Sequence, residues 1–116
     1  MNDAARPLSP AAGRLDAVFD ALANEHRREI VRRLAGAPMT TPAMADAFGF
    51  TKQALSRHLG VLEHAGLVRR TPRGRLHELA LVPQPLDRVR DWVVDLRRGW
   101  EANLDRLEEV LHAPND

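Results

Sequence analysis

Leu55, Leu59 and Leu62 stand at i, i+4 and i+7 in the run T-K-Q-A-L-S-R-H-L-G-V-L-E-H-A-G-L-V, which spans Thr51 to Val68. That spacing lines one side of an α-helix, so the stretch buries its leucines and turns Gln53, Ser56, Arg57, Gly60 and His64 the other way. The outward face is polar, basic and stepped by a glycine. It offers hydrogen bonds and positive charge to a flat polyanion, and Gly60 lets a groove wall come close. These features make the helix a candidate for reading DNA.

The flanking residues restrict it further. Upstream lies M-T-T-P-A-M-A-D-A-F-G-F, where Thr40 or Thr41 caps a short helix, Met44 and Phe48 pack inward, and Gly49 supplies a left-handed turn. Thr51 then caps the leucine helix. Two helices joined by about three residues containing glycine have helix-turn-helix spacing, the second being the one that enters a groove. Downstream, Ala65-Gly66 closes the helix and L-V-R-R-T-P-R-G-R-L-H-E-L-A-L follows. Two short alternating runs flank Thr71-Pro72-Arg73-Gly74, with proline second and glycine fourth, so the segment is expected to form a β-hairpin turning at those four residues. Its tip, 71–76, carries Arg73 and Arg75 as a wing able to reach phosphates or a minor groove. His77 alternates with Leu79 and Leu81 and is expected to face inward.

The remaining chain reads as helices. Ser9-Pro10 is a helix start, followed by an apolar stripe of Leu15, Val18, Phe19 and Leu22 ending near Ala23. Asn24 caps a second helix with Ile30, Val31 and Leu34 toward the core and Gly36 at its end. In it, Arg32 and Arg33 read as a solvated face with Glu29, whereas Arg27 and Arg28 in the first turn are placed to touch phosphate if that end faces DNA. From Pro85 to Ala113 a long helix carries Leu86, Val89, Val93, Leu96, Trp100, Leu104, Leu107 and Leu111 at steps of three and four. A rod near ~40 Å is longer than one face of so small a domain needs, so part of the stripe calls for a second copy of the chain. Gly99 marks either a kink or a close helix approach. Residues 1–9 are expected to be a flexible arm, 10–113 a single domain and 114–116 a tail.

Composition excludes several function classes. With 116 residues and 44% hydrophobic content, one small core is expected. The absence of cysteine removes disulfides, thiolate nucleophiles and soft-metal ligands. No apolar run approaches the ~20 residues of a membrane span, and the first residues lack the apolar centre of a signal peptide, so a cytoplasmic location away from any membrane is expected. The formal charge is only +1, but Lys52 is the only lysine, so the positive charge is almost all arginine. A GC-rich genome accounts for that bias as readily as phosphate or guanine binding does, and its arrangement matters more than its total. The five histidines form no i, i+4 pair. Ser56-Arg57-His58 is no catalytic set, because neighbours on a helix point about 100° apart. No enzyme is expected, and no cofactor.

Together A-L-A-N-E-H-R-R-E-I-V-R-R-L, L-S-R-H-L-G-V-L-E-H-A-G-L-V and the R-G-R tip resemble the ArsR/SmtB family of winged-helix repressors, over nearly all of Leu15 to Leu111. The resemblance implies a mainly α fold with a small β-hairpin, a winged helix-turn-helix that dimerises through its first and last helices. It further implies a homodimer repressing transcription from a near-palindromic double-stranded DNA operator. On that basis Thr51, Lys52, Gln53, Ser56, Arg57, His64, Arg73, Arg75, Arg27 and Arg28 are expected at DNA. Leu15, Val18, Phe19, Leu22, Val93, Leu96, Trp100, Leu104 and Leu107 are expected at the dimer interface.

Where metal-sensing relatives carry C-x-C, this chain has Thr40-Thr41-Pro42, and where zinc-sensing relatives carry Asp-x-His, Asp87 and Asp91 are followed two positions on by Val89 and Val93 rather than His. No metal site is expected; the residual alternative is an atypical one using His112 with Glu108 or Glu109. A second alternative is a protein-interaction module built on the long last helix. The effector that switches the protein is written in no motif, though Trp92 and Trp100 offer walls for a pocket.

Overall fold

In the described chain, residues 10–112 of a computed structural model, three of the helices begin at a side chain that caps their first turn. Helix α1 (Pro10–Leu22) is followed by α2 (Glu25–Gly36), whose first turn is capped by Asn24: its side-chain Oδ1 accepts from the Arg27 backbone N–H at 3.1 Å. Strand β1 (Met39–Thr40) leads into α3 (Thr41–Phe48), capped by the Thr40 hydroxyl, and α4 (Lys52–His64) is capped by Thr51. Strands β2 (Val68–Arg73) and β3 (Leu76–Leu81) form the hairpin, and α5 (Gln84–His112) closes the chain. The expected arm 1–9 with its Ser9 cap, the tail 114–116 and the Ala113 helix end lie outside the described residues.

The sheet is antiparallel with order β1-β3-β2. Strand β1 is unheralded in the sequence: two residues carry no alternation to detect, and only Met39 opposite Leu79 and Thr40 opposite Glu78 make it a strand. The hairpin turns two residues later than expected. Pro72 and Arg73 belong to β2, Arg73 pairs with Leu76, and the turn is the two residues Gly74-Arg75. Gly74 has φ +62°, the conformation that two-residue hairpin turns demand and that glycine adopts without steric cost. Pro72 is tolerated because β2 is an edge strand, where a missing N–H costs no ladder bond if it faces outward.

The core is where the amphipathic stripes converge. Val18 and Ala21 of α1, Ile30, Val31 and Leu34 of α2, and Met44 of α3 meet the α4 leucines. Leu67, Val68 and Leu79 close it from the sheet side. Leu86 and Val89, from the start of α5, pack against this cluster, but from Arg90 to His112 every residue of α5 is exposed. Phe19 meets Trp92 edge-on at 5.5 Å, joining α1 to the long helix. The helix runs unbroken through Gly99, around which nothing lies within 4 Å of a would-be Cβ. Among the described residues no helix is long and apolar enough to cross a membrane.

Candidate nucleic-acid interface

The α3-turn-α4 unit is held by backbone geometry that its residue types dictate. Gly49 takes φ +67° and donates its N–H back to the Ala45 and Asp46 carbonyls, while the Phe50 N–H reaches the Ala45 oxygen at 3.0 Å. These bonds satisfy carbonyls that a helix end leaves without partners. Two residues after Gly49, Thr51 Oγ1 accepts from the Ala54 N–H at 3.1 Å and starts α4 in a new direction. Leu55, Leu59 and Leu62 then anchor α4 in the core, each less than 5% exposed. Their burial forces Lys52, Gln53, Ser56, Arg57 and Gly60 into solvent as one stripe. His64 continues the stripe into the last turn, about 18 Å along the axis from Lys52, where it lines a cleft with Arg14 and Arg88.

Two bonds brace the hairpin against this unit. The half-buried Arg70 guanidinium meets the Glu63 carboxylate at 2.8 Å, tying β2 to α4. Thr41 donates its hydroxyl to the His77 carbonyl at 3.2 Å, tying α3 to β3. The wing is thus set rigidly beside the exposed stripe. At its tip Arg73 makes a 3.2 Å ion pair with Glu78, and Arg75 stands exposed without a carboxylate partner among the described residues. His77 does not pack inward as its alternation with Leu79 and Leu81 suggests. Its pair partner is Pro72, one step from the hairpin end, so it lies beyond the edge of the core and is exposed.

Arg27 and Arg28 have another occupation. The Arg27 guanidinium donates to the carbonyls of Ala21 at 2.7 Å and Asp20 at 3.1 Å, and Arg28 donates to Leu22 at 2.9 Å. Helix α1 has no basic residue in its own last turn, so its terminal carbonyls are satisfied by the arginines that begin α2. Arg27 is thereby half-buried in this cap, whereas Arg28 lends it one arm and stays exposed. Val18, expected at the dimer interface, is instead fully buried inside the protomer and has no surface to offer a second chain.

His58 leaves the exposed stripe altogether. It is half-buried on the flank of α4, with its ring 5.8 Å from His26 and 5.2 Å from Phe50. Burial is the main reason its pKa is held below the ordinary histidine value; the neighbouring Arg27, His26 and Arg57 add to the shift. Phe50 itself stacks on Phe48, over which Arg33 lays its guanidinium at 5.2 Å. This aromatic cluster joins α2, the end of α3, the turn and α4. Sequence reasoning missed it because its members are spread from His26 to His58. Among the described residues no three His, Asp or Glu side chains are placed together to hold a metal ion.

A polar helix held out by a buried leucine stripe, a capped helix before it and a braced arginine-tipped hairpin after it define a winged helix-turn-helix DNA-binding protein. Comparison with known proteins agrees. A family model described as a helix-turn-helix domain matches residues 22–71. The chain is 34% identical to the HTH-type transcriptional regulator Rv2034 of Mycobacterium tuberculosis over 101 residues, covering 87% of this chain and 92% of the relative. It is 28% identical to the transcriptional repressor SdpR of Bacillus subtilis over 78 residues, 67% of this chain and 87% of that one. A crystal structure of an ArsR family transcriptional regulator superposes with a TM-score of 0.74 at 28% identity, covering 81% of this chain and 97% of the other. The chain belongs to the ArsR family of winged helix-turn-helix transcriptional regulators.

Proposed function

We propose that the protein is a dimeric repressor that binds a near-palindromic operator through two copies of α4. The observation that carries this reading is the exposed stripe Gln53, Ser56, Arg57 and Gly60, flanked by Lys52 and Arg75. Gln53, Ser56 and Arg57 sit in the N-terminal half of α4, the part of a recognition helix that meets base edges. Thr51 and Lys52 at the helix start, with Arg73 and Arg75 on the wing, hold phosphates and set the register. His64, at the far end of α4, reaches the backbone at most. Repression is supported by the likeness to a relative named as a repressor, and binding near a promoter would exclude polymerase. Such a protein works in the cytoplasm, beside the chromosome.

Dimerisation is supported by the apolar stripe of α5. Leu96, Trp100, Leu104 and Leu107 are 43% to 63% exposed in the single chain. A helix end with no packing of its own is only marginally stable in water, so this segment needs a partner surface. Phe19, Trp92 and Val93 continue the face toward α1, with Leu15 and Leu22 half-buried at its edge. A second copy of the chain supplies a matching stripe and spaces the two α4 helices by about one DNA turn, ~34 Å.

The test is selection of bound DNA from a random library. An inverted repeat with half-sites about 10 base pairs apart is expected, and it should be the same with zinc or cadmium added. Recovery of no enriched sequence, or of one asymmetric site, would refute the dimeric operator reading.

A further inference from the structure

Between the first turns of α3 and α4 and the wing lies a cleft of about 320 Å³, at the lower end of the size range of small-molecule sites. Its floor is apolar: Pro42 and Ala45 of α3, Leu55 and Leu59 of α4, and Leu76 of the wing. Its rim carries Lys52, Arg70, Arg75 and His77 and not one carboxylate. Arg70 is already neutralised by Glu63 at 2.8 Å, whereas Lys52 and Arg75 have no acidic partner among the described residues. Leu76 is 46% exposed, which leaves much of its apolar side chain open to an occupant.

A phosphate of DNA explains the rim but not the floor. Phosphate oxygens are held by N–H and O–H donors, and they gain nothing from leucine and proline. An occupant that satisfies both parts has an apolar body to cover Pro42, Ala45 and Leu76, and one anionic head to reach Lys52 and Arg75. We propose that this cleft binds a small organic anion with an apolar body, and that its occupancy excludes DNA. The second clause rests on the DNA-binding reading given above, because Lys52, Ser56 and Arg75 belong both to the cleft wall and to the surface assigned to the operator. The device is direct competition at the reading head, requiring no change in α5.

Sodium decanoate, kept below its micelle concentration, is the probe, with decanol as its uncharged counterpart. In amide NMR spectra of the full chain, decanoate should cause saturable shifts at Thr41, Ala45, Ser56 and His77. Decanol should bind at least about tenfold more weakly, as should decanoate to Arg75→Gln, a loss typical of one charge-assisted hydrogen bond. Leu76→Gln should weaken both probes. In DNA titrations decanoate should raise the apparent Kd, with the effect overcome by more DNA.

Shifts that never saturate, shifts centred on Leu96 and Trp100, or equal binding of decanol and decanoate would each overturn the site. A ternary complex with unaltered DNA affinity would overturn the exclusion. If the chain bound no DNA even without decanoate, the functional reading above would fail, and the NMR arm would judge the site alone. Because Leu76 and Arg75 are exposed, the variants keep the core, and the decanol comparison uses the unaltered protein.

Discussion

Arg27 shows how a side chain's neighbours decide its role. From its place in the first turn of α2 it reads as a phosphate contact, yet its guanidinium closes the end of α1 through Ala21 and Asp20. Hydrogen bonds of a charged donor to half-buried carbonyls are worth about 1.5–3 kcal/mol. Arg27→Met should therefore lower the free energy of unfolding in urea by about that much while leaving operator affinity of the folded protein unchanged; a variant of full stability that loses DNA binding would return Arg27 to the DNA. Arg57 is the opposite case, exposed on the stripe with no side-chain bond among the described residues. Arg57→Ala should cost about 1–3 kcal/mol of operator binding and relax preference at one base pair, whereas an unchanged selected sequence would remove it from base reading.

His58 makes stability depend on pH at this same scale. Its folded pKa lies below the ordinary value, chiefly because it is buried and then because Arg27, His26 and Arg57 disfavour its charged form. The unfolded chain therefore takes up the proton first. Stability is complete above about pH 6.5 and falls as pH drops from there through the lowered folded value, below which this group adds no further loss. Urea midpoints measured from pH 7.5 to 5 should decline, and His58→Gln should flatten part of that slope; a wild-type slope of opposite sign would contradict the packing described.

At the level of elements, local signals were faithful wherever a residue acts on its own backbone. Asn24, Thr40 and Thr51 cap the helices they precede, and Gly49 turns left-handed between α3 and α4. Thr51→Ala should cost about 1 kcal/mol of stability. Gly49→Ala meets no steric neighbour, so its cost is the backbone conformation alone, about 1–2 kcal/mol. Calorimetry on both variants separates cap from turn, and a silent Gly49→Ala would contradict the left-handed turn. The hairpin was legible as a hairpin but not in its exact register. Proline and glycine two positions apart mark one turn in isolation, while pairing with β3 selects another that keeps Leu79 in the core. On the wing so formed, Arg73→Ala should weaken binding to all DNA sequences alike and shallow the salt dependence; loss confined to one operator would contradict a phosphate role.

At the scale of the whole molecule, the exposed half of α5 is the surface proposed to join two copies of the chain. Trp100 is 63% exposed in the single chain, so its removal should leave the protomer's own stability nearly unchanged. If a second copy covers it, Trp100→Ala should weaken the dimer by about 3–5 kcal/mol. Analytical ultracentrifugation decides the matter, since an intact dimer at low micromolar concentration would place Trp100 outside the interface. Two linked reading heads touching about six to ten phosphates should lose roughly three to five orders of magnitude in affinity between 50 and 200 mM salt.

The sequence by itself determined the helices, their caps, the glycine turn and the face of α4 that points outward, because each depends on residues within one or two turns of each other. The family was legible through resemblance, carried by A-L-A-N-E-H-R-R-E-I-V-R-R-L, L-S-R-H-L-G-V-L-E-H-A-G-L-V and the R-G-R tip. Only the tertiary structure decided that Arg27 caps α1, that His77 lies outside the core, that β1 exists, that His26, Phe50 and His58 meet, and that an apolar-floored cleft opens beneath the wing. Those features join segments far apart in the chain, and their energies depend on distances and burial that no local pattern encodes.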